Sequence, residues 1–147
     1  MSKKIFIDAN VILDLFESKR VFHHSSVKVV KYLLTDKNIE LFISSDIISN
    51  IFYILQNHYK YGFEKTLDVI EKIMTIMSVH SVSKDDIKMS IEICRNELFN
   101  DYEDALQYVC ALKEKCVLII SNNPKDFKNS SIDVFSSEAF LELIRKH

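Results

Sequence analysis

Short apolar runs alternate with longer segments of helical periodicity along this chain, and this alternation constrains its fold more than any other feature. We predict strands at 5–7, 39–44, 78–82, 116–120 and 132–135. The intervening segments repeat apolar residues at intervals of three to four, as helices with one buried face do. The runs at 5–7 and 116–120 are apolar throughout, which is typical of strands covered on both faces. The sequence therefore predicts an α/β domain built around a parallel sheet.

Glycine and proline are almost missing, with one of each among 147 residues. This composition favours short connections and much helix, and it argues against sandwiches, barrels and glycine-rich phosphate loops. Gly62 is expected where one helix stops, before the helix predicted at 63–76. Because no linker or repeat interrupts the pattern, residues 1–147 are expected to form one domain.

The charge and the cysteines limit the class of protein. A net charge of −2 argues against a broad basic face, so contacts with nucleic acid would need local lysine clusters or a bound metal. Cys94, Cys110 and Cys116 form neither a CxxC pair nor an even set, which favours reduced thiols and a cytoplasmic location. His58 and His80 have no partner at metal-ligand spacing. The sequence shows no signal-peptide pattern and no membrane-spanning run, which predicts a soluble protein with no membrane partner.

An aspartate stands at the end of the first predicted strand. Asp8 follows the apolar run at 5–7 and precedes a helical pattern, so it is either the N-cap of that helix or a site residue. In parallel α/β sheets, ligands bind beyond the carboxyl ends of the strands. Two other polar sets are predicted to reach that edge: Asp101, Glu103 and Asp104 at a helix start, and Ser121, Asn122 and Asn123 after the strand at 116–120.

Each of these sets, taken singly, has an ordinary structural explanation. Acids at a helix start act as caps, and Asn-Asn-Pro forms a turn. Together, however, they place oxygen ligands from three distant segments at one edge of one sheet. Oxygen ligands without a His/Cys set favour Mg²⁺ or Mn²⁺, which also relieves the repulsion between crowded carboxylates. Such an ion activates water and stabilises the charge that develops in phosphodiester hydrolysis.

Four segments carry a resemblance to a known family. The opening "FIDANVILDLF", the middle "ISSDIISNIFYIL", the helix "DYEDALQYVCAL" and the closing "LIISNNPKDF" resemble the successive motifs of PIN-domain proteins. The resemblance runs from Ile5 to the last helix and is closest to the branch that has Asn in place of Glu in the second motif. It implies a three-layer α/β fold, with a short parallel sheet of four to five strands flanked by about seven helices.

The resemblance also implies an activity. Many PIN domains are metal-dependent endoribonucleases that cleave single-stranded RNA with metal-activated water, and many bacterial members are toxins of toxin–antitoxin pairs. It therefore implies Mg²⁺ or Mn²⁺ as the cofactor, single-stranded RNA as the substrate, an antitoxin protein as a partner, and a homodimer.

The catalytic positions of the family fall on four residues of this chain. The first aspartate matches Asp8, and the acid of an Asp-Ala pair that opens a helix matches Asp104. The second and fourth acidic positions fall on Asn50 and Asn123. Two of the four carboxylates are therefore amides, which can still bind a metal through oxygen but contribute no charge.

Further residues are expected to support these four. Asn10 and Ser121 match positions where the family often has Asn and Ser or Thr, and Asp101 and Glu103 lie close enough to compensate in part for the missing charge. The expected metal ligands are Asp8, Asp104, Asp101 and Asn123.

Basic residues follow the first and fourth motifs. Lys19, Arg20, Lys125 and Lys128 could flank the site and contact a phosphate backbone. Within the fourth motif, we interpret Asp126 as a capping acid rather than a site residue.

Three functions are compatible with these residues. The first is the metal-dependent ribonuclease, and the second is a PIN fold that has lost turnover and binds RNA or protein, which the two amides and the negative charge favour. The third is phosphoryl transfer with Asp8 as covalent nucleophile, as in phosphatases of the haloacid dehalogenase type and in receiver domains. However, those phosphatases have a second Asp where Asn10 stands, and the paired acids and late lysine of a receiver are not evident.

Overall fold

One parallel sheet of five strands forms the centre of the computed structural model, which describes residues 2–146. The strands lie in the order β3-β2-β1-β4-β5, and each neighbouring pair is parallel. The predicted parallel sheet is therefore confirmed, with β1 and β4 side by side near its middle. Their bounds are Lys3–Ile7 for β1, Ile39–Ser44 for β2, Ser78–His80 for β3, Leu118–Ile120 for β4 and Asp133–Phe135 for β5.

Seven α-helices cover the two faces of the sheet within the described residues, which confirms the predicted architecture. A π-helical turn, Ile54–His58, extends α3, and a 3₁₀ turn, Pro124–Phe127, follows β4. The helices are α1 Ala9–Phe16, α2 His23–Leu34, α3 Asp46–Tyr53, α4 Phe63–Ile76, α5 Lys84–Arg95, α6 Tyr102–Lys113 and α7 Ser137–Arg145.

The alternation of side chains along each strand separates two apolar clusters and so produces the three layers. Ile5 and Ile7 of β1 belong to the cluster that includes buried residues of α1, α2 and α3. Phe6, between them, belongs to the cluster that includes buried residues of α6. Every residue of α6 from Ala105 to Ala111 is buried, so this helix is enclosed by the protein and its position is fixed by packing.

Gly62 lies between two helices, as predicted, but it caps the start of the second helix rather than the end of the first. It is the N-cap of α4 with a φ of −65°, and a Cβ added there would meet no atom within 4 Å. The left-handed conformation falls instead on Lys60, with a φ of 60°. The preceding helix ends at His58, four residues before the glycine, in a π-helical turn whose C-cap is Tyr59. Among residues 2–146, the helices are too short or too polar to cross a bilayer.

Candidate active site

The side chain of Asp8 lies at the carboxyl end of β1 and is 3% exposed. Its backbone N–H donates to the carbonyl of Ile120, 3.0 Å away, which joins the ends of β1 and β4. Asp8 is the N-cap residue of α1, yet its side chain makes no capping hydrogen bond. The carboxylate instead accepts from Ser121 Oγ at 2.7 Å. The Asp8 side chain therefore does not perform the capping role, and its role as a site residue stays a prediction.

Gln107 of α6 holds Asp8 from the other side. Its Oε1 accepts the backbone N–H of Ala9 at 3.0 Å, and its side chain is close enough to the Asp8 carboxylate to exert a lowering effect on the pKa of Asp8. Burial raises the pKa of Asp8, against the lowering effect of the bonds from Ser121 and Gln107. Sequence reasoning missed Gln107, although it lies one helical turn after Asp104 and so shares its face.

Asp104 faces a concentration of negative charge. Partial burial, followed by the charges of Asp101 and Asp8, raises its pKa to about 7. Asp101 is the N-cap of α6 and accepts the backbone N–H of Asp104 at 3.0 Å. Asp101 therefore caps α6 and also contributes a negative charge that raises the pKa of Asp104.

Asp126 also belongs to this group, which corrects its interpretation as a capping acid. Its charge raises the pKa of both Asp8 and Asp104. The 3₁₀ turn that starts at Pro124 folds the chain back, so Asp126 approaches the site while Phe127 enters the core at 2% exposure. We use the name acidic cluster for Asp8, Asp101, Glu103, Asp104 and Asp126.

The two amides predicted in the site each donate to a member of the acidic cluster. Asn50 Nδ2 donates to Glu103 Oε1 at 3.0 Å, and Asn123 Nδ2 donates to Asp126 Oδ2 at 2.6 Å. The backbone N–H of Asn123 also donates to Ser121 Oγ at 3.1 Å. The amides thus orient neighbouring carboxylates.

Asn10 and Asn122 tie together the loops that follow β1 and β4. The Oδ1 of Asn10 accepts the backbone N–H of Asn122 at 3.1 Å. The side chain of Asn122 donates to Asp14 Oδ2 at 2.5 Å and to Ser26 Oγ at 2.9 Å. Its Oδ1 accepts the backbone N–H of Ser137 at 3.0 Å. This network fixes the loop that contains Ser121 and Asn123. Asn10 belongs to this network and not to the acidic cluster.

A cavity of about 210 Å³ opens beside the acidic cluster. Asp101, Asp104 and Asp126 line it together with Lys125 and Lys128. Two of the four predicted RNA contacts therefore lie next to the acids.

The other two predicted RNA contacts lie elsewhere. Arg20 pairs with Asp14 at 2.5 Å and donates to Tyr59 Oη at 3.0 Å. Lys19 lines a separate depression with Tyr59 and Lys65. Lys19 and Arg20 lie apart from the acidic cluster because helix α1 separates them from Asp8 by roughly 12 Å along its axis.

The fold and the acidic cluster define an α/β protein with an oxygen-rich centre at the carboxyl edge of its sheet. A family model described as "PIN domain" matches residues 4–125, and the chain belongs to the PIN-domain family. It is 39% identical over 142 residues to "Ribonuclease VapC1" of Aquifex aeolicus (strain VF5), covering 96% of this chain and 95% of that protein.

Solved structures share the fold at low sequence identity. The structure of VapBC2 from Rickettsia felis, bound to a DNA fragment from its promoter, aligns with a TM-score of 0.68 at 16% identity, over 90% of this chain and 98% of the other. VapC20 from Mycobacterium tuberculosis, described as a Sarcin-Ricin loop cleaving toxin, aligns with a TM-score of 0.62 at 16% identity, over 78% and 86% of the two chains.

Repulsion within the acidic cluster predicts that removing one charge stabilises the metal-free protein. The pKa of Asp104 rises from 3.8 to about 7 on folding, so the folded state binds more protons in that interval and stability falls as the pH rises through it. In chelator, Asp104→Asn should raise the free energy of unfolding near neutral pH by about 1 kcal/mol, a value reduced for solvent screening of a partly exposed group. Urea unfolding at several pH values measures this.

The matched control is Asp68→Asn, which removes an exposed carboxylate from α4. This control should leave both the stability and its pH dependence within error of the parent protein. An Asp104→Asn variant that is less stable than the parent in chelator would contradict the repulsion.

Proposed function

We propose that this protein is a ribonuclease that depends on Mg²⁺ or Mn²⁺, cleaves single-stranded RNA and serves as the toxin of a toxin–antitoxin pair. The observation that carries the proposal is the convergence of Asp8, Asp104 and Asp126, from three distant segments, at the carboxyl edge of the sheet. The 39% identical relative is named a ribonuclease, and one structural neighbour is described as a Sarcin-Ricin loop cleaving toxin.

The residues present fit a hard divalent cation. The side chains of the acidic cluster offer oxygen only, and burial and mutual repulsion hold the pKa values of Asp8 and Asp104 above the ordinary range. Asp8 and Asp104 would hold the cation, with Asp101, Asp126 and the Asn123 oxygen as further ligands. When bound, a divalent cation supplies an activated water and neutralises charge on the phosphate.

The protein's own groups have separate tasks in this proposal. Ser121 and Gln107 keep the Asp8 carboxylate in one orientation. Asn50 and Asn123 orient Glu103 and Asp126, and these two acids supply charge that the amides lack. A fixed carboxylate arrangement favours catalysis because little reorganisation is needed when the substrate reacts.

We also propose that residues 1–147 form one PIN-like domain in a cytoplasmic protein. The curated relative aligns with 96% of the chain, which supports one domain. All three cysteines are free, which supports a reducing compartment.

Cleavage of a fluorescent single-stranded RNA tests the activity. We expect cleavage with Mg²⁺ or Mn²⁺, none in chelator, and a loss of at least about 100-fold in kcat/KM for Asp8→Asn, Asp104→Asn or Asp126→Asn, since each removes a charge that holds the cation. A duplex RNA of the same sequence should resist. Asp133→Asn, an exposed acid on β5, is the matched control.

Two results would count against the enzyme. Full activity of the Asp8→Asn and Asp104→Asn variants would show that catalysis does not depend on the acidic cluster. Binding of Mn²⁺ and RNA without cleavage would favour the alternative function, a binding module, which is supported by the amides at Asn50 and Asn123.

The lysines beside the acidic cluster are expected to bind the RNA backbone. Lys125→Ala and Lys128→Ala should each weaken RNA binding about 3- to 10-fold at moderate salt and reduce the slope of log K against log salt by about one. Lys72→Ala, an exposed lysine on α4, should change neither quantity. Fluorescence anisotropy with Asp104→Asn protein avoids cleavage during the measurement. If all three substitutions weakened RNA binding equally, the loss would reflect the lower net charge of the protein rather than a local contact with the RNA.

The partner proposals rest on the name VapBC2 of the structural neighbour from Rickettsia felis and on exposed apolar side chains. Tyr53, Phe63 and Met74 are 67%, 57% and 52% exposed, on α3 and α4, and they suit a homodimer contact. Expression of the chain alone should arrest bacterial growth, and co-expression of a small protein from an adjacent gene should restore growth and co-purify with it.

Two further measurements sharpen this test. Asp8→Asn should abolish the arrest while keeping the complex, and light scattering should give twice the chain mass without the partner. Arrest by Asp8→Asn, or a monomeric mass at micromolar concentration, would contradict the respective proposal.

A further inference from the structure

A second cluster of chemically reactive side chains lies two strands away from the acidic cluster, beneath α5 and α6. His80 ends β3, Asp86 lies in the first turn of α5, and Cys110 is in the middle of α6. One ligand atom from each lies within 4.8 Å of the other two. Asp86 is 2% exposed and Cys110 is 0% exposed. The sequence alone does not reveal this cluster, because its three residues lie in three separate secondary-structure elements.

The ligand atoms are already held in place by neighbouring groups. The Nδ1 of His80 is 2.6 Å from Glu114 Oε2, and its Nε2 is 2.8 Å from Asp86 Oδ2. In metal proteins, a carboxylate behind a ligating histidine fixes the tautomer and the ring orientation, as Glu114 does here. Asp86 Oδ2 also accepts the backbone N–H of Ser83 at 3.0 Å, in a capping box. Thus both the imidazole and the carboxylate are oriented before any ligand arrives.

Two buried oxygens beside this cluster lack hydrogen-bond partners within the described chain. They are Ser44 Oγ, in a residue with 0% exposure, and Asp46 Oδ1. Ser44 is the register partner of His80 on the neighbouring strand, so both side chains project from the same face of the sheet. The Ser44 hydroxyl is close enough to Asp46 to exert a lowering effect on the pKa of that carboxyl, and the charge of Asp46 raises the pKa of Cys110. A buried polar atom with no partner is costly, which points to a missing ligand.

We propose that His80, Asp86 and Cys110 form a binding site for a thiophilic divalent cation of the Zn²⁺ type, separate from the acidic cluster. A set of nitrogen, oxygen and sulfur donors matches Zn²⁺ and does not match Mg²⁺. Ser44 Oγ and Asp46 Oδ1 are the candidates for the remaining position. Such an ion would link β3, α5 and α6.

The charges and protons balance in this site. Binding displaces the thiol proton of Cys110 and the proton shared between His80 and Asp86, and both pass to solvent. The thiolate and the carboxylate then offset the two positive charges of the cation. Without the cation, His80 lies between Asp86 and Glu114, and when it is protonated it performs the same neutralisation. The cluster therefore supports two states of similar net charge.

Cobalt titration of the purified full-length protein tests the site independently of RNA cleavage. Co²⁺ bound through a thiolate gives a near-ultraviolet charge-transfer absorption, which Zn²⁺ should displace at one equivalent. Cys110→Ser should abolish the absorption, whereas Cys116→Ser, which removes another buried thiol, should keep it. Asp104→Asn should also keep it, because Asp104 belongs to the acidic cluster. In an Asp104→Asn background, which weakens the acidic cluster, Zn²⁺ should raise the melting temperature, and adding Cys110→Ser, unlike Cys116→Ser, should remove most of that rise.

Absence of the absorption in the parent protein would overturn the proposal, as would its survival in Cys110→Ser. His80→Gln provides a second variant if Cys110→Ser does not fold, since glutamine can keep a hydrogen bond to Asp86 while removing the ligand nitrogen. A stable His80→Gln protein that binds Co²⁺ with the same absorption and affinity as the parent would also exclude the site.

Discussion

The bond from Ser121 Oγ to Asp8 Oδ2, at 2.7 Å, joins the carboxyl ends of the two neighbouring strands β1 and β4. The same hydroxyl accepts the backbone N–H of Asn123, which fixes the start of the turn that carries Asp126. One serine therefore sets the relative position of two acids from opposite ends of the chain. This arrangement is possible because the sheet places β4 directly beside β1.

The acidic cluster lowers the free energy of unfolding of the protein that contains it. Burial and neighbouring charges raise the pKa of Asp104, so ionising this residue costs free energy in the folded state. The surrounding structure must hold the cluster together, and buried α6 and the network around Asn122 do so. Ordinary core residues gain from their neighbours, whereas these acids lose, which is typical of functional sites.

Much of the fold and part of the site could be predicted because they depend on local patterns. Apolar strands, helical spacing and an aspartate at a strand end are each visible in a short stretch of sequence, and Asp8 and Asp104 do lie together. The role of Asp126 was not visible, because a capping acid and a site acid look alike until the turn after Pro124 is known. The cluster of His80, Asp86 and Cys110 was equally hidden, since tertiary packing alone brings these residues together.

Helix α6 connects the two groups of side chains and keeps their chemistry apart. Its first turn presents Asp104 to the carboxyl end of β1, and its next turns present Cys110 toward β2 and β3. The first group has oxygen donors only, whereas the second adds nitrogen and sulfur, and donor sets of these two kinds suit different cations. Because α6 is buried from Ala105 to Ala111, a shift of the helix at one group would disturb the packing at the other. A ligand that stabilises the position of α6 at Cys110 therefore also stabilises the position from which Asp104 acts.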